Sequence, residues 1–191
     1  VIVIVVVFQQ EIRRFLLFLG NTTLERQVEI AGRFFGKNEA VTDERERQKI
    51  AIRLAIQRMS RRKTGALIVL ANGANLEGIV SSGIELDADI SEALLESIFT
   101  KESPLHDGAV VIGDGKIQKA SCVLPISENA NLPDTAGMRH RAAVGITEKA
   151  NVASFVVSEE NGRISLAYKG ELHEELTEEQ IVEALNKHLQ E

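Results

Sequence analysis

An imidazole and a carboxylate stand side by side within residues 101–109, which read KESPLHDGA. His106 and Asp107 are both competent ligands for a divalent cation if a loop lets their side chains converge. Gly108 follows them, and a glycine allows the backbone to approach a ligand closely. Because Asp-Gly is also a common turn pair, this stretch alone is compatible with either a functional site or an ordinary turn.

A second polar stretch, DTAGMRHRAA, covers residues 134–143. Basic residues open a predicted helix there: Arg139, His140 and Arg141. They oppose the helix dipole, which favours anions at the N-terminus. An anionic ligand would remove this conflict, because free backbone N–H groups and an Arg fork together form a phosphate site. The alternative is an exposed basic turn paired with nearby glutamates.

The elements that position these stretches are short apolar runs between turn residues, which predict strands from Gly65 onward. The pair Asp114-Gly115 predicts a hairpin between two of them. Ser91 and Thr177 are the expected N-caps of two helices, and a third helix starts near residue 139. The expected fold is α/β, with a central mixed β-sheet flanked by helices.

A further helix is predicted over 43–63, with Thr42 or Asp43 as its N-cap and acidic residues in its first turn. Before it, residues 21–42 have mixed polarity and are interpreted as a connector. The predicted organisation is a membrane-proximal segment at 1–20, this connector, and one globular domain at 43–191.

The N-terminal run, residues 1–8, is entirely apolar and has no initiator Met. It is too short to span a bilayer, which takes about 20 residues in a helix, but it fits the end of a truncated membrane span. Arg13 and Arg14 would then mark the cytoplasmic side. A buried strand is the alternative, because β-branched residues dominate the run.

Composition limits the class of function. The formal net charge of -6 argues against a protein that binds nucleic-acid polymers, because such proteins neutralise phosphates with many Lys and Arg side chains. The one cysteine, Cys122, lies in an apolar run, which predicts a small core residue rather than a nucleophile. A single cysteine also excludes an intrachain disulfide.

Taken together, the motifs Asp107-Gly108-Ala109 and Arg139-His140-Arg141 resemble those of the bacterial diadenylate cyclase family, in the same order. The resemblance covers about residues 43–185. The segment FQQEIRR after the apolar run resembles the junction that follows the transmembrane helices in the membrane-anchored type of this family. The family resemblance implies that the domain at 43–191 is catalytic and that it lies on the cytoplasmic side of the cell membrane.

The resemblance implies a role for each matched residue. Asp107 matches the acid that serves an attacking 3′-hydroxyl, and His106, Asp107 and Glu160 match positions at a divalent metal, Mg²⁺ or Mn²⁺. Arg139 and His140 match the catalytic motif that grips phosphates. The remaining positions expected at the nucleotide are Gly108, Ala109, Leu124, Met138, Arg141 and Ser158.

The implied activity is that of a nucleotidyltransferase that condenses two ATP molecules into cyclic di-AMP, in a homodimer whose active sites lie face to face. Two residues depart from the family pattern: Met138 stands where Thr is usual, and Val123 stands where an aromatic is frequent. We expect altered affinity from both. The alternatives are an inactive nucleotide-binding sensor on a membrane anchor and an interaction module without a ligand.

Overall fold

The computed structural model describes residues 24–189 except 72, 81, 131 and 134, with side chains described from Thr42 onward. The apolar run at 1–8 and the predicted membrane-proximal segment lie outside these residues. None of the helices in the described part of the chain combines the length and the apolar character that a membrane crossing requires.

The first helix, α1, is longer than the sequence predicted. It spans Leu24–Arg62, so the predicted start near 43 is wrong, and Thr42 and Asp43 lie inside the helix rather than at its cap. Gly32 and Gly36 also lie within it. Each glycine costs a helix only about 1 kcal/mol relative to alanine, and the helix-forming residues around them outweigh that cost.

Residues Arg45–Glu191 form one compact unit. The described residues before it, 24–44 of α1, belong to a second unit. The compact unit contains a seven-stranded sheet of order β2-β4-β3-β1-β5-β6-β7. Strands β1 and β3 are parallel, and every other neighbouring pair is antiparallel, which confirms the predicted mixed sheet. The strands are β1 (Ala66–Leu70), β2 (Ile84–Asp89), β3 (Ala109–Gly113), β4 (Lys116–Cys122), β5 (Ala153–Val157), β6 (Ile164–Tyr168) and β7 (Glu171–His173).

The residues that the structure describes form three further helices: α2 (Glu92–Phe99), α3 (Met138–Lys149) and α4 (Glu178–His188). The predicted caps are confirmed, because the Ser91 and Thr177 hydroxyls accept from the backbone N–H groups of Leu94 and Gln180. The hairpin pair Asp114-Gly115 has φ values of +51° and +72°, the left-handed geometry that such a turn requires.

The sheet separates two apolar layers, so β1 is buried on both faces. Ile68 and Leu70 belong to the layer formed with α1, α2 and α4. Leu67 and Val69 belong to the layer formed with α3. Cys122 is also in the second layer, where burial raises the pKa of its thiol to about 11. The prediction of a core cysteine is therefore confirmed.

Candidate active site

Four strand ends meet at one edge of the sheet. Because β1 and β3 are parallel, both begin at this edge, and the antiparallel β4 and β5 both end there. The register pairs Ala109 with Cys122 and Ala66 with Val157. The residues that flank these ends, 63–65, 107–108, 123–124 and 158–160, form what we call the site edge.

Asp107 reaches the site edge on a tightly held backbone. Gly108 has φ +105°, and a Cβ added to it would lie 2.7 Å from the Cys122 carbonyl oxygen. Ser121 Oγ also donates to the Asp107 carbonyl oxygen at 2.7 Å. The Asp107 side chain is exposed. The loop thus fixes the backbone against the end of β4 and leaves the carboxylate open to a ligand.

His106, next to this acid, has a defined tautomer. Its Nδ1 lies 2.6 Å from the Ser103 carbonyl oxygen, which can only accept a hydrogen bond. Nδ1 therefore carries the proton, and Nε2 of the neutral ring keeps a lone pair. A backbone carbonyl that orients a histidine in this way is a frequent partner of metal-binding histidines.

The N-terminus of α3 has the features of an anion site. Its N-cap is Gly137, which has no side chain to cap the helix, and its first turn carries no acidic residue. Met138, the first helical residue, is 69% exposed. The first backbone N–H groups of a helix attract anions, and here no capping side chain occupies them.

Arg139 lies across the start of β1. Its Nη1 donates to Glu159 Oε2 at 2.8 Å, and this ion pair lies against Gly65. Glu159 follows β5, so the pair connects the helix terminus to the site edge. The structure therefore brings Arg139 to the edge where Asp107 lies.

The next two residues of α3 differ in burial. His140 is 7% exposed, and burial lowers the pKa of its imidazole, although the charges of Glu174 and Glu160 oppose this shift. The carbonyl oxygen of Arg141, which is half-buried, accepts from the backbone N–H of Ser127. This bond ties α3 to the loop that follows Leu124.

The other predicted nucleotide positions divide between surface and core. Leu124 is 6% exposed and Ala109 is fully buried, whereas the neighbouring Val123 is 59% exposed. Ser158 is half-buried, and its Oγ accepts from the N–H of exposed Glu160 at 3.3 Å. Leu124 therefore presents little side-chain surface, and Ala109 presents none.

The predicted metal ligands do not form one closed cluster. Over the described ranges, no three side chains of His, Cys, Asp or Glu come together as a metal-binding group. His106 and Asp107 are adjacent in sequence, while Glu160 lies after β5. A cation bound here would thus need ligands besides these side chains, such as phosphate oxygens.

Sequence reasoning missed four residues of this site. Glu159 pairs with Arg139, Gly65 makes room for that pair, Ser103 orients His106, and Ser121 holds the Asp107 backbone. Among these four residues, only Gly65, which directly precedes the first buried strand, carried a signal in the sequence that the chain needs space there. The serines and Glu159 resemble ordinary loop residues in sequence.

Comparisons with known proteins find relatives over most of the chain. The DAC family, described as DisA bacterial checkpoint controller nucleotide-binding, matches residues 53–172. The chain is 40% identical to the cyclic di-AMP synthase CdaA of Bacillus subtilis, over 95% of this chain and 63% of that protein. It is 38% identical to a diadenylate cyclase of Listeria monocytogenes, over 97% of this chain and 65% of the relative. The chain therefore spans less than two thirds of these relatives.

Solved structures share the fold. A double mutant of DacA from Staphylococcus aureus superposes with a TM-score of 0.72 at 38% identity, over 75% of this chain and 95% of that one. A hypothetical membrane spanning protein from Bacillus cereus superposes with a TM-score of 0.62 at 43% identity, over 64% of this chain and 60% of that one.

Proposed function

The chain belongs to the DAC family of nucleotide-binding domains, and from that membership we propose that it is a diadenylate cyclase, which condenses two ATP molecules into cyclic di-AMP and releases two pyrophosphates. One observation carries the proposal: a carboxylate, Asp107, and a cation beside an uncapped helix terminus, Arg139, meet at one sheet edge. The names of the curated relatives support the same activity.

In the proposed reaction, the 3′-oxygen of one ATP attacks the α-phosphorus of the other. A bond forms between these atoms, the bond from the α-phosphorus to the pyrophosphate oxygen breaks, and Asp107 assists removal of the 3′-hydroxyl proton. Arg139 and the first N–H groups of α3 stabilise the charge on the phosphates. The same step repeated with the roles exchanged closes the ring.

The nucleotide is held mainly by backbone and small side chains. Gly108 lets the chain approach the nucleotide, Leu124 packs near the base, and Ser158 lies near the triphosphate. Arg141 supports the phosphate-binding motif, and the buried His140 binds the phosphates together with Arg139. Met138 and Val123 are exposed at the rim, so their departures from the family pattern change affinity without removing the acid or Arg139.

A divalent metal, Mg²⁺ or Mn²⁺, fits the donors on this chain. The neutral form of His106 that donates from Nδ1 offers a lone pair on Nε2, Asp107 is exposed, and Glu160 lies at the same sheet edge. Since these do not form a closed three-ligand group among the described residues, the proposed site takes further ligands from the phosphates. When bound, such a cation neutralises charge on the triphosphate and the leaving pyrophosphate.

The active species is proposed to be a homodimer with its nucleotides face to face. One ATP per domain cannot complete the reaction, so two domains must bring their ATP molecules together. We also propose that the whole protein is attached to the cell membrane through its N-terminal segment, with this domain in the cytoplasm. The similarity to a hypothetical membrane spanning protein of Bacillus cereus supports the attachment.

A direct test is incubation with ATP and Mg²⁺ or Mn²⁺, followed by mass spectrometry of the products. We expect cyclic di-AMP from the native chain and none from Asp107→Asn, which should still fold and bind ATP. Asp114→Asn in the exposed β3–β4 turn is the matched control and should remain active. ATP binding without any product would favour the sensor alternative. Near-native turnover by Asp107→Asn would contradict the role of this acid.

The dependence of the reaction rate on enzyme concentration tests the proposed dimer. While dimers are scarce, the rate should rise faster than linearly with enzyme, because the dimer population grows as the square of the monomer concentration. Mixing Asp107→Asn with Arg139→Ala should not restore native synthesis, because both bonds must form. Specific activity that stays flat while sizing shows monomer giving way to dimer would contradict a face-to-face mechanism.

A further inference from the structure

We propose that Gly65 and Glu159 are positioning residues that together set the place of the Arg139 guanidinium. The inference deepens the proposed function and rests on it, because it concerns how the phosphate-binding arginine is aimed. The pair of side chains and the glycine beneath them belong to three different segments, which meet only in the folded chain: the start of β1, the N-terminus of α3 and the turn after β5.

Glu159 binds the Arg139 guanidinium through one nitrogen atom and leaves other N–H donors available. The described contact runs from Nη1 to Glu159 Oε2 at 2.8 Å, whereas a guanidinium carries five N–H donors in a fixed planar fork. Because the fork is rigid, fixing one of its nitrogen atoms limits the directions in which the others point. Glu159 can therefore orient Arg139 and leave donors available for phosphate oxygens.

Gly65 provides the space in which this pair lies. A Cβ at this position would be 2.7 Å from Arg139 Nη1 and 2.9 Å from Glu159 Oε2, both closer than atoms normally approach. Gly65 is not among the glycines with positive φ, so its backbone does not itself require glycine. The requirement comes from the two side chains that lie over it.

The atoms that a Cβ would displace are the ends of two flexible side chains. They can move aside without shifting the backbone, so Gly65→Ala should change the direction of the guanidinium while leaving the fold intact. The ion pair is partly exposed, with 26% of the Arg139 side chain and 54% of the Glu159 side chain accessible. Exposed pairs of this kind add little to stability, so the expected effect is on ligand binding rather than on folding.

The experiment measures ATP affinity, KM for ATP, kcat and the unfolding temperature for Gly65→Ala, Glu159→Gln and Glu159→Ala. We expect Gly65→Ala and Glu159→Ala to weaken ATP binding about tenfold, the effect of losing one charge-assisted hydrogen bond, with the unfolding temperature unchanged. Glu159→Gln keeps an acceptor oxygen and should lose less. Glu178→Ala, which removes the exposed ion pair with Arg53 at the start of α4, is the control and should bind ATP normally.

A second arm uses Arg139→Ala as the background. If Gly65 and Glu159 act through Arg139, neither Gly65→Ala nor Glu159→Ala should weaken ATP binding further in that background. Additive losses, or native ATP affinity in both single variants, would overturn the inference. These outcomes are distinct from failure of the proposed function, in which the native chain itself would bind no ATP or form no cyclic di-AMP.

Discussion

The Asp107 loop and the first turn of α3 bring their functional groups to the same sheet edge by opposite means. Gly108 packs closely against the backbone of Ser121 and Cys122, and a Cβ added to it would lie only 2.7 Å from the Cys122 carbonyl oxygen. Arg139 is held instead by the end of another side chain, Glu159. One group is placed by backbone packing and the other by an ion pair between flexible side chains.

This difference determines how each region responds to substitution. Backbone atoms cannot move aside without disturbing the strands they belong to, so a change at Gly108 must alter folding and chemistry together. Side-chain ends can swing away at small cost, so changes around Arg139 can alter chemistry alone. Stability and ATP binding should therefore be coupled at the first region and separable at the second.

The largest effect is expected from Gly108→Ala. The backbone of the new alanine must keep φ +105°, which costs roughly 1–3 kcal/mol, and its Cβ collides with the Cys122 backbone as well. We expect a lower free energy of unfolding and no detectable cyclic di-AMP. Thermal or denaturant unfolding and the product assay measure the two effects.

Gly78→Ala is the matched control for this variant. Gly78 also has positive φ, +76°, but a Cβ there would meet nothing within 4 Å. It therefore carries the backbone strain without the collision and should be destabilised less. Equal destabilisation of the two variants would mean that packing against β4 does not fix the Asp107 loop.

A smaller effect is expected where the loop after β4 is joined to α3. Ser127 is 2% exposed, and its Oγ donates to Glu148 Oε1 at 2.6 Å. Ser127→Ala should lower the free energy of unfolding by about 1.5–3 kcal/mol, the usual range for a hydrogen bond to a charged group. ATP affinity should fall as well, because this loop carries Leu124.

Glu148→Gln tests the same contact from the other side and keeps an acceptor for the serine. Its free energy of unfolding should fall less than that of Ser127→Ala, as measured by urea unfolding. If the glutamine variant is the less stable of the two, the hydrogen bond does not account for the connection between the loop and the helix.

The sequence allowed the sheet, the caps and the motifs to be predicted because these depend on local chemistry. The short apolar runs, Ser91, Thr177 and the Asp114-Gly115 turn each carry their own signal in consecutive residues. The two motifs were specific in combination, and they indicated the family that the comparisons then showed. The roles assigned to the individual site residues stay predictions.

Other features could not be predicted because they depend on contacts between distant segments. Glu159 and its neighbour Glu160 are the same residue type, the family resemblance indicated only Glu160, and only the fold places Glu159 against Arg139. The early start of α1 was missed because two glycines and mixed polarity resemble a connector, whereas helix propensity summed over the surrounding residues outweighs them.

Acidification should destabilise the fold through buried imidazoles. Burial lowers the pKa of His140 below its ordinary value of 6.5, although Glu174 and Glu160 partly offset the shift. The unfolded chain then binds protons more readily than the folded one, so the free energy of unfolding falls as the pH drops below about 6.5 towards the lowered folded-state pKa. Urea unfolding between about pH 7.5 and pH 5.5 should show this decrease.

His140→Gln should reduce this dependence on pH. His188→Gln provides a comparison outside the site, because burial also lowers the pKa of His188 and the positive charge of Lys187 adds to that shift. Both variants should therefore show a shallower fall in stability on acidification than the native chain. An unchanged slope in His140→Gln would show that its imidazole does not resist protonation in the folded state.

The smallest effect is expected from Cys122→Ala, which separates the backbone of this residue from its side chain. The Cys122 carbonyl lies against Gly108, while its Sγ packs beside Gly83, where an added Cβ would be only 2.6 Å away. Alanine keeps the backbone and removes one buried sulfur atom, which should cost about 1 kcal/mol of stability. If backbone packing places Asp107, cyclic di-AMP synthesis should stay within about twofold of native. A Cys122→Ala variant that stays folded but loses synthesis would show that the thiol itself, rather than the backbone beneath Gly108, supports the acid.

The native Cys122 thiol should also react slowly with alkylating reagents at about pH 8. Burial raises its pKa to about 11, and the thiolate is the reactive form.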